Sequence, residues 1–267
     1  MPVTIGFIGS SKRGPVNDPQ LIRRWGQFVI KFGSFLMSKY LAHAVYGFFN
    51  NGGSRCYVVN VGEAEEGSPD IKSGLEAFDK IDDIDFVVAP GQTDLEVHDA
   101  ILSHCKNHGT RFAILDTIGE IKEEEKEKAE ESGADEEAHE VGGEEKEAES
   151  EAEEGGEGPK GIEALPELED TEHGLYFFPW IWVKGPKGED TIVPPSGHIA
   201  GLYASSSEED KRTPPVNRRL MGAISLTYRV RDADQRVLNS RGIECLRFHP
   251  KEVICIVGHD TFLDSYY

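Results

Sequence analysis

Apolar residues occur along this chain in two patterns, short unbroken runs and runs with helical spacing. The unbroken runs are bounded by glycine or proline, which is typical of buried strands. The residues at 41–49 instead recur every three or four positions, which predicts an apolar helix that ends at Asn51-Gly52-Gly53. The two patterns predict strands at 3–9, 56–61, 85–91, 111–116, 175–183, 243–248 and 252–257, and helices at 19–33, 41–49, 71–80, 94–108 and 198–204.

The order of these elements indicates the fold class. Strands that alternate with helices favour an α/β layer with a largely parallel sheet. The runs at 86–89 and 112–115 are apolar throughout, as expected where helices cover both faces of a sheet. Pro179 lies within the run 175–183 and predicts an edge position or a bulge there. We therefore expect an α/β fold with a mixed, largely parallel sheet flanked by helices.

The negative charge is concentrated in one segment. The chain has a formal net charge of −21, and residues 120–172 hold 24 of its 49 acids with only 5 basic residues. Residues 120–158 have almost no apolar side chains, so they cannot offset the entropy of ordering. We predict a disordered acidic insertion at 119–172 that faces the outside of any assembly; metal binding or a basic partner is the functional alternative.

The remaining residues exclude several classes of protein. The folded part is nearly neutral, which argues against a general nucleic-acid binder. The four cysteines form no CxxC pair, and Cys56, Cys245 and Cys255 lie in apolar runs, as in a reduced cytosolic protein. The first residues lack a charged signal-peptide region, and no run approaches the roughly 18 to 20 apolar residues of a membrane span.

Two stretches could carry a ligand or a metal. Residues 6–14 are glycine-rich, but Lys12 is followed by Arg13 rather than Ser or Thr, which favours a structural turn over a phosphate loop. His104 and His108 are spaced i, i+4 on the helix that also holds His98 and Cys105, as zinc ligands can be. No HExxH or CxxC pattern supplies a third ligand, so exposed helix-face residues are favoured over a metal site.

A serine and two tryptophans also need an interpretation. Ser196 precedes Gly197 and His198, but without a GxSxG elbow it is favoured as a helix N-cap rather than a nucleophile. Trp180 and Trp182 alternate with aliphatic residues, which predicts packing in the core or between subunits. We predict no catalytic, cofactor-binding or metal-binding residue and no cofactor.

Several segments, taken in order, resemble the contractile tail sheath family of phage tails and related injection systems. They are Phe7 to Pro15, residues 40–61, Tyr176 to Trp180, and Val193 to Ala204, with a looser run at Pro215 to Asn217, Leu238-Asn239 and Gly242-Ile243. The resemblance divides the chain into a first core part at 1–118, the acidic insertion, and a second core part at 173–267.

The resemblance implies a structural role without catalysis. A sheath subunit polymerises helically around an inner tube and drives tube ejection by contraction. The implied partners are other sheath subunits, the inner tube protein, and baseplate and terminator proteins, with no nucleic acid and no membrane contact. Assembly is expected in the cytoplasm, as part of a phage tail or a tail-like particle.

Two departures from the family leave alternatives open. We expect the arms that family members carry before the first core strand and after the last to be missing. We therefore expect a largely monomeric chain that is a truncated form, a fragment or a shortened paralogue. A non-polymerising paralogue or regulator is therefore an alternative function. An α/β enzyme with a nucleotide at the carboxyl ends of its strands is another, although a glycine-rich fingerprint is lacking.

Overall fold

The computed structural model describes residues 3–63, 69–119, 162, 165, 172–206, 213–249 and 253–258. The described part consists of strands and helices in the following order: β1 Ile5–Gly9, β2 Gln20–Ile22, α1 Trp25–Phe32, a 3₁₀ turn Phe35–Met37, α2 Leu41–Asn50, β3 Cys56–Asn60, α3 Ile71–Phe78, β4 Phe86–Val88, α4 Leu95–His108, β5 Phe112–Asp116, β6 Gly174–Phe178, β7 Ile181–Lys184, β8 Asp190–Val193, α5 Ser196–Ala204, β9 Ala223–Leu226, α6 Asp232–Ser240, β10 Ile243–His249 and β11 Val253–Val257.

An 8-stranded sheet organises the chain, in the order β11-β10-β6-β5-β4-β1-β3-β2. Its inner pairs are parallel, and only the two edge strands, β11 and β2, run antiparallel to their neighbours. The predicted mixed, largely parallel sheet is confirmed. A 3-stranded antiparallel sheet, β8-β7-β9, lies beside it. The described residues before and after the acidic insertion share the large sheet, because β5 pairs with β6.

Helices cover both faces of the large sheet, so its central strands are buried on both sides. Along β1, Phe7 packs with α1, α2 and α5, whereas Ile8 packs with α3, α4 and α6. Neighbouring residues of a strand point to opposite faces, and both side chains are fully buried. The unbroken apolar runs of the sequence follow from this two-sided cover.

The helix predicted at 19–33 is wrong in its first part. Gln20–Ile22 forms edge strand β2, with Ile22 opposite Cys56 of β3. The helix begins only at Trp25 and ends at Gly33. Gly33 has a φ of 88°, a left-handed conformation that favours glycine, so the predicted stop is confirmed.

The strand predicted at 175–183 is two strands in two sheets. β6 ends at Phe178, the Phe178–Pro179 bond is cis, and β7 begins at Ile181. The predicted edge position is wrong, since β6 lies inside the large sheet between β5 and β10, and the β-bulge in this run falls between Trp182 and Val183 rather than at Pro179. Pro179 has no backbone N–H to give to a ladder, and it lies where the chain leaves the large sheet.

The acidic insertion lies outside the described residues, apart from two apolar residues near its end. Ile162 and Leu165 are 9% and 2% exposed and belong to the core beneath α4 and α6. Their backbone carbonyls accept hydrogen bonds from Arg241, at 3.2 and 2.8 Å. Among the described helices, none combines the length and the apolar character needed to cross a membrane.

Candidate functional site

Helices α2 and α5 pack directly on each other. They lie within two of the segments that carry the resemblance to the sheath family, residues 40–61 and Val193 to Ala204. Their contact consists of small residues. A Cβ on Gly197 would lie 2.3 Å from the Cα of Ala44, and one on Gly201 would lie 2.5 Å from the backbone oxygen of Phe48. Gly47 is equally close to the ring of His198. Glycine is therefore needed at these positions because the two backbones approach each other closely.

A buried carboxylate, that of Asp116 at the end of β5, fixes the start of α5. One of its oxygens accepts the backbone N–H of Ser196 at 3.0 Å. The other accepts the Ser196 hydroxyl at 2.6 Å and the backbone N–H of Gly91 at 3.0 Å. Asp116 is 0% exposed, and burial raises the pKa of its carboxyl to about 6. The network joins β5, the turn after β4 and α5.

This network corrects the role expected for Ser196. Ser196 is the first helical residue, Pro195 occupies the N-cap position, and neither side chain caps the helix. The Asp116 carboxylate takes over the capping function from another element. The Ser196 hydroxyl donates to Asp116 and not to a histidine, while His198 packs against Gly47. The serine and the histidine therefore do not form the pair that nucleophilic catalysis requires.

Asn51 joins the end of α2 to the segment before β9. Its side chain accepts the backbone N–H of Met221 at 2.8 Å and donates to the Met221 carbonyl at 3.0 Å. Helix α2 ends at Asn50, Asn51 is its C-cap, and Gly52 follows with a φ of 95°. The predicted helix stop thus also holds a segment about 170 residues away in sequence.

Trp180 lies where the chain passes from the large sheet to the small one. Its indole N–H donates to the carbonyl of Thr117 at 2.8 Å, and its ring contacts Tyr40 edge-on at a centroid distance of 5.2 Å. Trp180 is 7% exposed, and Ile181 and Val183 belong to the core. The predicted packing role of this segment is confirmed for these three residues.

A cleft of about 530 Å³ opens at the carboxyl ends of β1 and β4. Neighbours β3 and β4 lie on opposite sides of β1, so this is where an α/β sheet would hold a nucleotide. The glycine-rich turn after β1 cannot cradle a phosphate there, because β1 is followed by β2 rather than by a helix. Ser11 also directs its N–H to the Asn60 side chain and its hydroxyl to the Phe32 carbonyl, both at 2.8 Å. The predicted structural turn is what the structure shows.

The histidines of α4 are less exposed than predicted, and a third group joins two of them. His98 and Cys105 are buried. The Asp79 carboxylate lies 3.0 Å from Nε2 of His108 and 3.6 Å from Nδ1 of His104. These three groups are close enough to hold a metal ion, and the sequence did not indicate Asp79.

A neighbouring arginine works against metal binding by this trio. Arg111 donates to Nε2 of His104 at 2.7 Å, so the proton of the neutral ring lies on Nδ1, the nitrogen that faces Asp79. Burial and the Arg111 charge lower the pKa of His104 to about 4. Arg111 therefore already supplies the cation of this cluster, which links the end of α3 to α4.

Comparison with solved structures identifies the architecture. The chain superposes on the helical sheath of the anti-feeding prophage in its contracted state with a TM-score of 0.65, 18% identity and 98% of this chain covered. The fold is that of the contractile tail sheath proteins. The contracted sheath of an extracellular contractile injection system, PVC, gives a TM-score of 0.63 at 21% identity over 96% of this chain.

A crystal structure extends the likeness to a sheath tail protein from Desulfitobacterium hafniense, with a TM-score of 0.60 at 8% identity over 96% of this chain. The sheath fold is therefore retained where little sequence identity remains. The chain spans 62% of the anti-feeding prophage subunit and 59% of the PVC subunit. No protein-family model matches this sequence, and no curated protein matches it.

Proposed function

We propose that this chain is a structural subunit of a contractile sheath, which polymerises helically around an inner tube and drives the tube out by contraction. The observation that supports this most is the superposition of 98% of the chain on the subunit of a contracted helical sheath. The α2–α5 contact adds to it, because it brings together two of the segments by which the sequence resembles the family, residues 40–61 and Val193 to Ala204.

Such a function requires two packings of one subunit lattice rather than a catalytic group. A non-closing, heterologous contact between copies generates the helix. The subunit must then move as a stiff body, and the close α2–α5 contact and the buried Asp116 network would provide that stiffness. The proposal includes no enzymatic activity.

The partners in this proposal are other sheath subunits, an inner tube protein, and baseplate and terminator proteins. The likeness to a subunit within an anti-feeding prophage baseplate, with a TM-score of 0.63, supports the baseplate contact. Assembly takes place in the cytoplasm, and the product is a phage tail or a tail-like particle.

Electron microscopy and mass spectrometry of particles from producing cells test the proposal. Particles isolated under native conditions should contain this chain as a major component of the layer around the tube. Cells without the chain should yield bare tubes or no particles. Sheathed particles that persist without the chain would contradict a sheath role. A chain that is required but absent from the sheath layer would instead identify an assembly regulator.

A further inference from the structure

Positive charge collects in the first 40 residues of the chain, on α1 and the turns around it. The first 50 residues contain six basic residues and one acid. All six basic side chains are exposed. Lys12 pairs with Glu63, and among the residues that the structure describes no carboxylate pairs with the other five. Together they form what we call the basic face: Arg13, Arg23, Arg24, Lys31 and Lys39.

Contacts within the fold place four of these residues next to α1, and Lys39 lines the cleft at the carboxyl ends of β1 and β4. Arg23 and Arg24 directly precede α1, and Lys31 in its last turn donates to Gln20 of β2 at 2.5 Å. The turn that carries Arg13 packs on the end of α1, since the Ser11 hydroxyl donates to the Phe32 carbonyl at 2.8 Å. The 3₁₀ turn before Lys39 contacts α1 through Phe35 and Trp25, at a centroid distance of 5.0 Å.

Apolar side chains are exposed on the same elements. Ile30 of α1 is 72% exposed, Leu36 of the 3₁₀ turn 71%, and Tyr46 of α2 43%. Exposed apolar groups that adjoin one another mark interaction sites, and the Tyr46 ring contacts both Trp25 of α1 and Phe35 of the 3₁₀ turn. Basic and apolar groups spread over several elements suit an extended acidic polypeptide better than a small anion, which needs convergent donors.

The chain itself contains such a polypeptide, and its starting point lies next to the basic face. Gly119 is the last described residue before the acidic segment, and a Cβ on it would lie 2.6 Å from the Trp180 indole. That indole contacts Tyr40, which directly follows Lys39. The last described residue before the acidic segment therefore lies within two side chains of Lys39.

We propose that the basic face binds the acidic segment, residues 120–158, of the same chain. The segment can reach every part of the face, because it spans far more than the four strand spacings of about 4.8 Å between β5 and β2. Because the segment is tethered to the same chain, its effective concentration at the face is on the order of millimolar. This inference is independent of the sheath function.

The contact should depend strongly on salt. Individual exposed ion pairs contribute little, and the Debye length falls from about 10 Å at 0.1 M salt to about 3 Å at 1 M. The segment has 19 acids and 4 basic residues, so its attraction to the face is the sum of many weak, screened terms. A contact of this type can be released when another surface covers the face.

Zero-length carbodiimide cross-linking of the full chain, at a concentration where it is monomeric, tests the proposal. At 20 mM salt, lysine–carboxylate cross-links from 120–158 should form at Lys31 and Lys39 at least tenfold more often than at Lys72 and Lys106. The last two are equally exposed lysines on α3 and α4, on the opposite face of the sheet. At 0.5 M salt the preference should fall severalfold.

Charge reversal provides the matched comparison. The variant R23E/R24E should reduce cross-links at Lys31 and Lys39 at least threefold, while K72E/K106E should leave them unchanged, with folding checked by circular dichroism. Equal yields at all four lysines, or none from 120–158 to the basic face, would overturn the proposal. Mixing ¹⁴N- and ¹⁵N-labelled chains shows whether a cross-link joins residues of one chain or of two chains. Cross-linked peptides that mostly combine one ¹⁴N and one ¹⁵N partner would overturn binding within one chain.

Discussion

The Asp116 carboxylate should make stability depend on pH. The pKa of Asp116 in the folded state is about 6, above its ordinary value of 3.8. Between pH 3.8 and pH 6 the carboxyl is therefore protonated in the folded state and ionised in the unfolded state. The resulting stabilisation is present below about pH 4 and is lost as the pH rises through 6. About two pKa units correspond to roughly 3 kcal/mol.

Denaturant unfolding of wild type and Asp116→Asn at pH 4.5 and pH 7.5 measures this contribution. The variant should lose most of the pH dependence assigned to Asp116. It should also be less stable at pH 4.5, because its amide presents donors toward the Gly91 N–H. Parallel pH profiles for the two proteins would show that Asp116 keeps an ordinary pKa in the fold.

Gly197 should not tolerate even one methyl group. Gly197→Ala places a Cβ 2.3 Å from backbone atoms of α2, so the helices must separate, at a cost of about 3 kcal/mol. Gly26→Ala is the matched control, because its Cβ meets nothing within 4 Å in α1. That change should alter stability by no more than about 1 kcal/mol, in the stabilising direction. Similar unfolding midpoints for the two variants would contradict a close α2–α5 contact.

The link between α2 and β3 uses its two glycines for different reasons. Gly52 has the positive φ of 95°, whereas Gly53 is restricted by the Phe48 ring, which would lie 2.4 Å from its Cβ. Gly53→Ala should therefore lower stability by about 1 to 3 kcal/mol in wild type and by less in a Phe48→Leu background. Gly52→Ala should cost the same in both backgrounds. A double-mutant cycle from denaturant unfolding measures this coupling, and additive effects at Gly53 would argue against the ring contact.

Most elements of the large sheet could be predicted, because each strand is a short apolar run that ends at a turn residue. The run 175–183 was wrongly predicted as one strand, because its apolar character continues across Pro179 while the chain passes from the large sheet to the small one. Helix α6 was missed, because two of its three buried side chains, Asp234 and Gln235, are polar and only Leu238 is apolar. Asp116 could be placed at a strand end from the sequence, but its partners Gly91 and Ser196 are brought together only by the fold.

At the scale of the whole molecule, the long acidic segment should be dispensable for folding. Removing residues 122–157 eliminates few apolar side chains, so the unfolding midpoint should change by no more than about 2 °C at physiological salt. Leu165→Ser, in contrast, should cost about 2 to 4 kcal/mol, because Leu165 is 2% exposed in the core beneath α4 and α6. Calorimetry of both variants tests whether Leu165 contributes to the stability of the fold while residues 122–157 do not. A large loss of stability on deletion would show that further residues of the segment are part of the fold.

The position of Trp180 gives the protein a built-in optical probe. Indole emission shifts to longer wavelength when the ring leaves an apolar site for water, and Trp180 is held between the Thr117 carbonyl and the Tyr40 ring. Replacing the other two tryptophans, Trp25 and Trp182, with phenylalanine would leave this ring as the only indole source. Its emission would then report in real time whether the small sheet stays attached to the large one while subunits rearrange.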